Sequence, residues 1–151
     1  MDTLETSQLV TVLQTAVGPV VVISGVGLLL LTMTNRLGRI VDRSRILAHQ
    51  ARTTAGEEQE KARAQLRILH ERAELVRWAI ALAAFCVLFV ALLVISLFVT
   101  ALFDVEVAWL IAAFFIVSMV FLIASLVMFI LDINKSLRAT ALEVGDEWQK
   151  E

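Results

Sequence analysis

Long stretches without charge alternate with charged stretches along the chain. No Asp, Glu, Lys or Arg occurs in three windows, residues 6–35, 78–103 and 107–131. Each window exceeds the roughly 20 helical residues that cross a ~30 Å hydrocarbon core, where one charge would cost about 2.5 to 3.5 kcal/mol. The pattern predicts an all-α integral membrane protein with three transmembrane helices, at residues 9–34, 78–103 and 107–131.

The polar stretch between the first two windows keeps the apolar spacing of helices. Apolar residues recur at helical intervals from Leu37 to Ala51 and again from Ala62 to Val76. Between them lies Thr53-Thr54-Ala55-Gly56, and Thr54 with Glu57 has the spacing of a capping box. We therefore expect residues 35–77 to form an antiparallel helical hairpin that continues both neighbouring spans.

The distribution of basic residues predicts the topology. Ten of the 13 Lys and Arg residues lie within 36–77, and the other three within 132–151. The positive-inside rule then places the hairpin and the tail in the cytoplasm. The N-terminus, residues 1–8, and the turn at 104–106 carry only acidic charge and are expected outside. Apolar residues at helical spacing predict a C-terminal amphipathic helix over 132–151: Ile133, Leu137, Ala141 and Val144.

Composition agrees with a membrane protein and excludes several kinds of chemistry. The chain is 59% hydrophobic, with a mean hydropathy of +0.82. Cys86 is the single cysteine, so no internal disulfide forms. The serines of the spans have no ionisable neighbour to act as a base, and His49 and His70 lie on opposite arms without a third ligand. We expect no enzymatic activity, no cofactor or metal, and no nucleic-acid partner.

The first predicted span carries a seam of mainly small and polar residues, alternately three and four apart. It comprises Thr11, Thr15, Gly18, Val22, Gly25, Leu29, Thr32, Arg36, Arg39 and Arg43. One interpretation is close helix packing, within the chain or in a homo-oligomer. The other is the lining of a central pore in a homo-oligomer, with Val22 and Leu29 as constrictions. The pore candidates are the seam as far as Arg39, together with Gln14 and Asn35.

Charged residues cluster where the first span ends. The candidates for ion pairs at this inner mouth are Arg36, Arg39, Asp42, Arg43 and Asp132. The arginines could anchor the chain on anionic headgroups, pair with Asp132, or form a cationic ring in an oligomeric pore. Such a ring favours anions, whereas the acidic outer residues gather cations, so the sign of a permeant ion stays open.

The segment from Thr34 to Arg45, which reads Thr-Asn-Arg-Leu-Gly-Arg-Ile-Val-Asp-Arg-Ser-Arg, follows an apolar helix with Gly18-Pro19 and Ser24-Gly25. It resembles the bacterial membrane family labelled domain of unknown function 2721. The resemblance covers nearly the whole chain, including the three-helix layout. It implies a bacterial inner-membrane setting and little about mechanism.

Two hypotheses for the function remain from the sequence. In the first, the protein is an oligomeric channel for small ions whose pore is lined by the first span. In the second, it is a non-enzymatic scaffold whose cytoplasmic hairpin binds a partner protein. Both place the chain among membrane lipids and in contact with copies of itself.

Overall fold

The protein is a set of three long α-helices. A computed structural model describes the backbone of residues 2–103 and 108–148 and the side chains of residues 10–103 and 108–135. The helices are α1 (Asp2–Thr53), α2 (Glu57–Phe103) and α3 (Ala108–Trp148), and the described residues contain no strand. All three helices are long and apolar enough to cross a membrane, which confirms an all-helical chain with three candidate spans.

Each helix extends beyond its predicted span. Helix α1 continues through Pro19 and past Asn35 without a break, and α2 is continuous across Arg77 and Trp78. Helix α3 runs on from Leu131 into the tail, so the segment predicted as a separate C-terminal helix continues the third span. The predicted outer turn at 104–106 lies outside the described residues.

The connection between α1 and α2 occurs at the predicted place but without the predicted capping box. The hydroxyl of Thr54 donates to the carbonyl of Gln50 at 2.7 Å, and its backbone N–H donates to the same carbonyl at 3.0 Å. Thr54 therefore completes the end of α1. Helix α2 is preceded by Gly56, whose φ of 76° suits glycine and whose carbonyl accepts from the N–H groups of Gln59 and Glu60.

The chain divides into two compact units, of which the first comprises Met1–Leu31 and Ala81–Ala124. Its core is a cluster of small and medium residues, namely Val26, Ala83, Cys86 and Val90, with Phe121 and Leu122 packed against it. Ala83 and Cys86 are at most 1% exposed, and small side chains at such positions let helices approach closely in lipid. The rings of Phe89 and Phe121 stack at 5.4 Å.

The second unit comprises Thr32–Ile80 and Ser125–Glu151. Its buried cluster joins α1 and α2 through Met33, Ile40, Leu69, Val76 and Ala79, and Met128 and Phe129 of α3 pack against it. The hydroxyl of Ser125 donates to the carbonyl of Ala79 at 2.8 Å, a buried hydrogen bond between α3 and α2. This unit therefore positions side chains from three helices around one core.

Candidate functional site

The predicted seam of α1 divides into two columns of residues seven apart. One column is exposed throughout: Thr11, Gly18, Gly25, Thr32 and Arg39. The other is half-buried at its centre and exposed at its ends: Thr15, Val22, Leu29, Arg36 and Arg43. Buried residues of α1 include Val26, Met33 and Ile40. They lie about 100° around the helix from the exposed column but only about 40° from the half-buried one, whose Val22 packs against the core of the first unit. The exposed column thus faces away from the core of its own chain.

The seam glycines are not needed for packing within the chain. A Cβ atom added to Gly18 or Gly25 would have no heavy atom within 4 Å beyond the local helix. Gly18 borders an apolar concavity of about 260 Å³ in the first unit, which Val22 also lines, together with residues of α2 and α3. Gly25 does not line this concavity. No feature within one chain therefore explains why position 25 has open space in place of a side chain.

The two polar pore candidates outside the seam, Gln14 and Asn35, are exposed as well. The hydroxyl of Thr15 donates to the carbonyl of Thr11 at 2.9 Å, a bond within the helix that satisfies the hydroxyl without a second chain. The structure therefore places the uncharged polar pore candidates on the exposed surface of α1. Of the two charged candidates, Arg39 is exposed and Arg36 is half-buried.

A buried carboxylate lies between two arginines in the second unit. Asp132 is fully buried; its Oδ2 is 2.7 Å from Nε of Arg36, and its Oδ1 accepts a hydrogen bond of 3.3 Å from Nε of Arg72. The side chains of Arg36 and Arg72 are 22% and 16% exposed, so each guanidinium reaches from a buried contact to the surface. A buried ion needs such partners because leaving water is costly.

The contact between Arg36 and Asp132 is ionic in character. Although the two atoms are close, no N–H group in the described part of the chain points at Oδ2 with hydrogen-bond geometry. The short distance is sufficient for an ion pair, because charge attraction depends weakly on direction. The guanidinium of Arg36 also lies over the ring of Phe129, 5.6 Å from its centroid, which adds a cation–π interaction.

The remaining candidates for the inner-mouth ion pairs behave differently. Arg39, Asp42 and Arg43 are exposed, and within the described residues none of them has an ion pair within 4.0 Å. Exposed pairs contribute little because water screens both partners. The structure thus brings Arg36 to Asp132 and leaves the other three in solvent.

Arg72 was not among the residues selected from the sequence, although its position carried a signal. It lies three residues after Leu69 and four before Val76, on the apolar stripe of α2 that the structure buries. A charge on such a stripe requires a partner. Arg36, Arg39, Arg43 and Arg72, with Ile40 and Leu69, line a concavity of about 260 Å³ beside the buried carboxylate.

No three His, Cys, Asp or Glu residues gather as metal ligands within the part of the chain that the structure describes.

Comparisons with curated proteins and with solved structures returned no match. A family described as protein of unknown function, DUF2721, matches residues 16–142. This range contains the second and third apolar windows, residues 16–35 of the first window, and the whole arginine cluster around Asp132. The chain belongs to the DUF2721 family.

Proposed function

We propose that the protein is a non-enzymatic homo-oligomer of the bacterial inner membrane that conducts small ions through a pore lined by α1. The N-terminus is outside, and the polar arms, residues 35–53 of α1 and 57–77 of α2, are in the cytoplasm with the tail. The basic residues of these segments support this orientation through the positive-inside rule.

The observation that carries the proposal is the exposed column of α1 that contains Gly25. Glycine is about 1 kcal/mol less favourable than alanine in a helix interior, and Gly25 relieves no contact within its own chain. Against lipid, the absence of a side chain brings no packing gain. Against a second α1 helix, it allows close approach of the two backbones. Packing against a second copy of the chain therefore explains the glycine at position 25, which contacts within one chain do not explain.

The pore assignment rests on the polarity of the same surface. Five uncharged pore candidates are exposed, namely Thr11, Gln14, Thr15, Thr32 and Asn35. Ser24 and Thr34 are also polar and exposed, outside the set of pore candidates. Polar side chains in a membrane span face partners or water-filled spaces more favourably than acyl chains. Helices arranged around an axis through this surface would place polar groups towards water, and Val22 and Leu29 at the narrow level of the pore.

The experiment is ion flux through the purified protein in planar bilayers. Val22→Ser and Leu29→Ser, made separately, are expected to increase conductance or open probability because each replaces an apolar constriction with a hydroxyl. Val120→Ser on α3 is the matched control, since Val120 is 59% exposed and lies outside the seam. Silent wild-type protein, or equal responses at all three positions, would contradict conduction through α1.

A second candidate function is a scaffold whose arms bind a cytoplasmic protein. The observation in its favour is that Ile46 of α1 and Ile68 of α2 are 63% and 52% exposed although both lie outside the apolar windows. Exposed aliphatic residues among charges suit a protein partner. A partner that co-purifies with the wild type and is lost from an Ile46→Glu/Ile68→Glu variant would favour the scaffold, whereas unchanged recovery would argue against it.

A further inference from the structure

The concavity beside Asp132 is cationic. Four of the six residues that line it are arginines, Arg36, Arg39 and Arg43 from α1 and Arg72 from α2, and none of the six is acidic. We propose that it is a binding site for a phosphate-bearing anion. This inference does not depend on ion conduction, because the arginines belong to one chain.

The charges of the lining residues and of Asp132 do not balance. Asp132 contacts Arg36 and Arg72 and supplies one negative charge against four positive ones. Arg39 and Arg43 have no carboxylate within 4.0 Å among the described residues. Like charges held together in a concavity concentrate a positive potential, which raises the local concentration of anions.

The buried carboxylate also arranges the donors. Asp132 contacts the Nε atoms of Arg36 and Arg72, and each guanidinium carries four further N–H groups on its terminal nitrogens. Asp132 and Phe129 hold the guanidinium of Arg36 beside the concavity before any ligand arrives. A planar fork of this kind matches the oxygen atoms of phosphate in pairs.

The size and walls of the concavity suit an ester of phosphate. Its volume of about 260 Å³ has room for a phosphate group with a small organic substituent. Ile40 and Leu69 provide apolar walls that could contact the carbon atoms attached to the phosphate. The ligand chemistry is therefore a phosphate with an organic substituent, from a phospholipid headgroup or from a soluble phosphate compound.

The position of the site makes the headgroup a natural source. Arg36 is the first residue after one apolar window, and Asp132 is the first after another. Basic pockets at the ends of membrane helices bind anionic headgroups. A diffuse basic surface would do so too, but it would depend on total charge. A built site depends on which arginines are present.

Two double variants distinguish a built site from a diffuse basic surface. Arg39→Gln/Arg43→Gln removes two exposed arginines that line the concavity, and Arg63→Gln/Arg67→Gln removes two exposed arginines of α2 that do not. Neither variant touches the contacts of Asp132, so the core of the unit is retained. The full-length protein in neutral detergent is titrated with short-chain phosphatidylglycerol, short-chain phosphatidylcholine and inorganic phosphate, and bound molecules are counted by native mass spectrometry.

We expect one saturable phosphatidylglycerol per chain and weaker binding of phosphatidylcholine. The variant at Arg39 and Arg43 is expected to bind about tenfold more weakly, and the control within about twofold of the wild type. Saturable binding of inorganic phosphate that displaces the lipid identifies a soluble phosphate as the source, and its failure to compete identifies the headgroup. Equal weakening in both double variants, or no saturation by any ligand, overturns the proposal.

Discussion

Arg36 Nε lies 2.7 Å from Oδ2 of Asp132, so the first charged residue after one apolar window is paired with the first charged residue after another. The pair joins α1 to α3 where each helix leaves its apolar window. Asp132 is fully buried, so a shift of either helix by one turn along its axis would separate the two ions. It would leave a buried carboxylate without this partner and without water. The contact therefore fixes the register of the two helices.

Removal of Arg36 should reveal this role. We expect Arg36→Gln to destabilise the protein by about 2 kcal/mol, since Asp132 would keep only its longer contact with Arg72. Arg39→Gln removes the same charge from an exposed position without an ion pair and should change stability by less than about 0.5 kcal/mol. Unfolding in mixed micelles, followed by circular dichroism, measures both. Equal losses of stability in the two variants would mean that the ion pair with Asp132 stabilises the protein no more than an exposed arginine does.

The buried hydroxyl of Ser125 offers a second test of contact between helices. Ser125→Ala removes the hydrogen bond to the carbonyl of Ala79 and should cost about 0.6 kcal/mol, the usual size of such bonds in membrane proteins. Ser118 is equally buried on α3, but its hydroxyl donates to the carbonyl of Phe115 in its own helix. Ser118→Ala should therefore be nearly neutral in the same unfolding assay. A larger loss at Ser118 than at Ser125 would contradict this account.

The number and helical nature of the spans follow from the sequence because charges are excluded from a hydrocarbon core whatever the tertiary packing. The site follows only in part. Arg36 and Asp132 stand out at the ends of apolar windows, whereas Arg72 joins them through packing between segments distant in sequence. Its place on the stripe with Leu69 and Val76 identifies a charge that needs a partner, but the stripe alone does not name the partner.

The turn shows why a local motif can fail. Thr54 and Glu57 have capping-box spacing, but a capping box requires the N–H of Thr54, which donates to Gln50 at the end of α1. Thr54 can cap either the end of α1 or the beginning of α2. It caps α1, and Gly56 takes the position before the first residue of α2. The spacing predicts where the chain turns because both uses of Thr54 occur at a helix end.

Close packing in the first unit predicts a difference between two adjacent alanines. Ala83 is 1% exposed and lies in the cluster with Val26 and Cys86, whereas Ala84 is exposed. Ala83→Leu should destabilise the protein by about 1 to 3 kcal/mol because the added atoms have no space. Ala84→Leu adds the same volume and should be nearly neutral. Thermal unfolding measures the stability of the two variants. Equal stability would show that the cluster around Ala83 is loosely packed.

The first turn of α2 should respond to pH through Glu57 and Lys61, whose side chains lie 2.7 Å apart. The hydrogen bond from Lys61, and then its charge, lower the pKa of Glu57 below 4.5, and the same interactions with Glu57 raise the pKa of Lys61 above 10.5. The stabilisation from Glu57 is present above its unfolded pKa and is lost as pH falls through the lowered folded value. That from Lys61 is present below its unfolded pKa and is lost as pH rises through the raised folded value.

Both side chains are largely exposed, so the effect is confined to fraying of this turn. Amide protection in the first turn of α2, corrected for intrinsic exchange, should be higher near pH 7 than near pH 3. Lys61→Met should remove most of this difference. Protection that depends on pH equally in the wild type and the variant would assign the effect to other groups.

The two glycines near the middle of the first span separate an interface from a tolerant surface. Gly25 lies on the exposed column of the seam, whereas Gly27 is turned by about 200° around the helix; neither has a heavy atom near an added Cβ. Within one chain, Gly25→Leu and Gly27→Leu should therefore be equally tolerated. If copies of α1 pack through the seam, Gly25→Leu alone should shift the oligomer towards monomer, by about tenfold or more in the dissociation constant. Mass photometry in detergent measures the distribution, with circular dichroism as the check of helicity. Identical distributions for both variants would place the seam against lipid and remove the basis for a pore along α1.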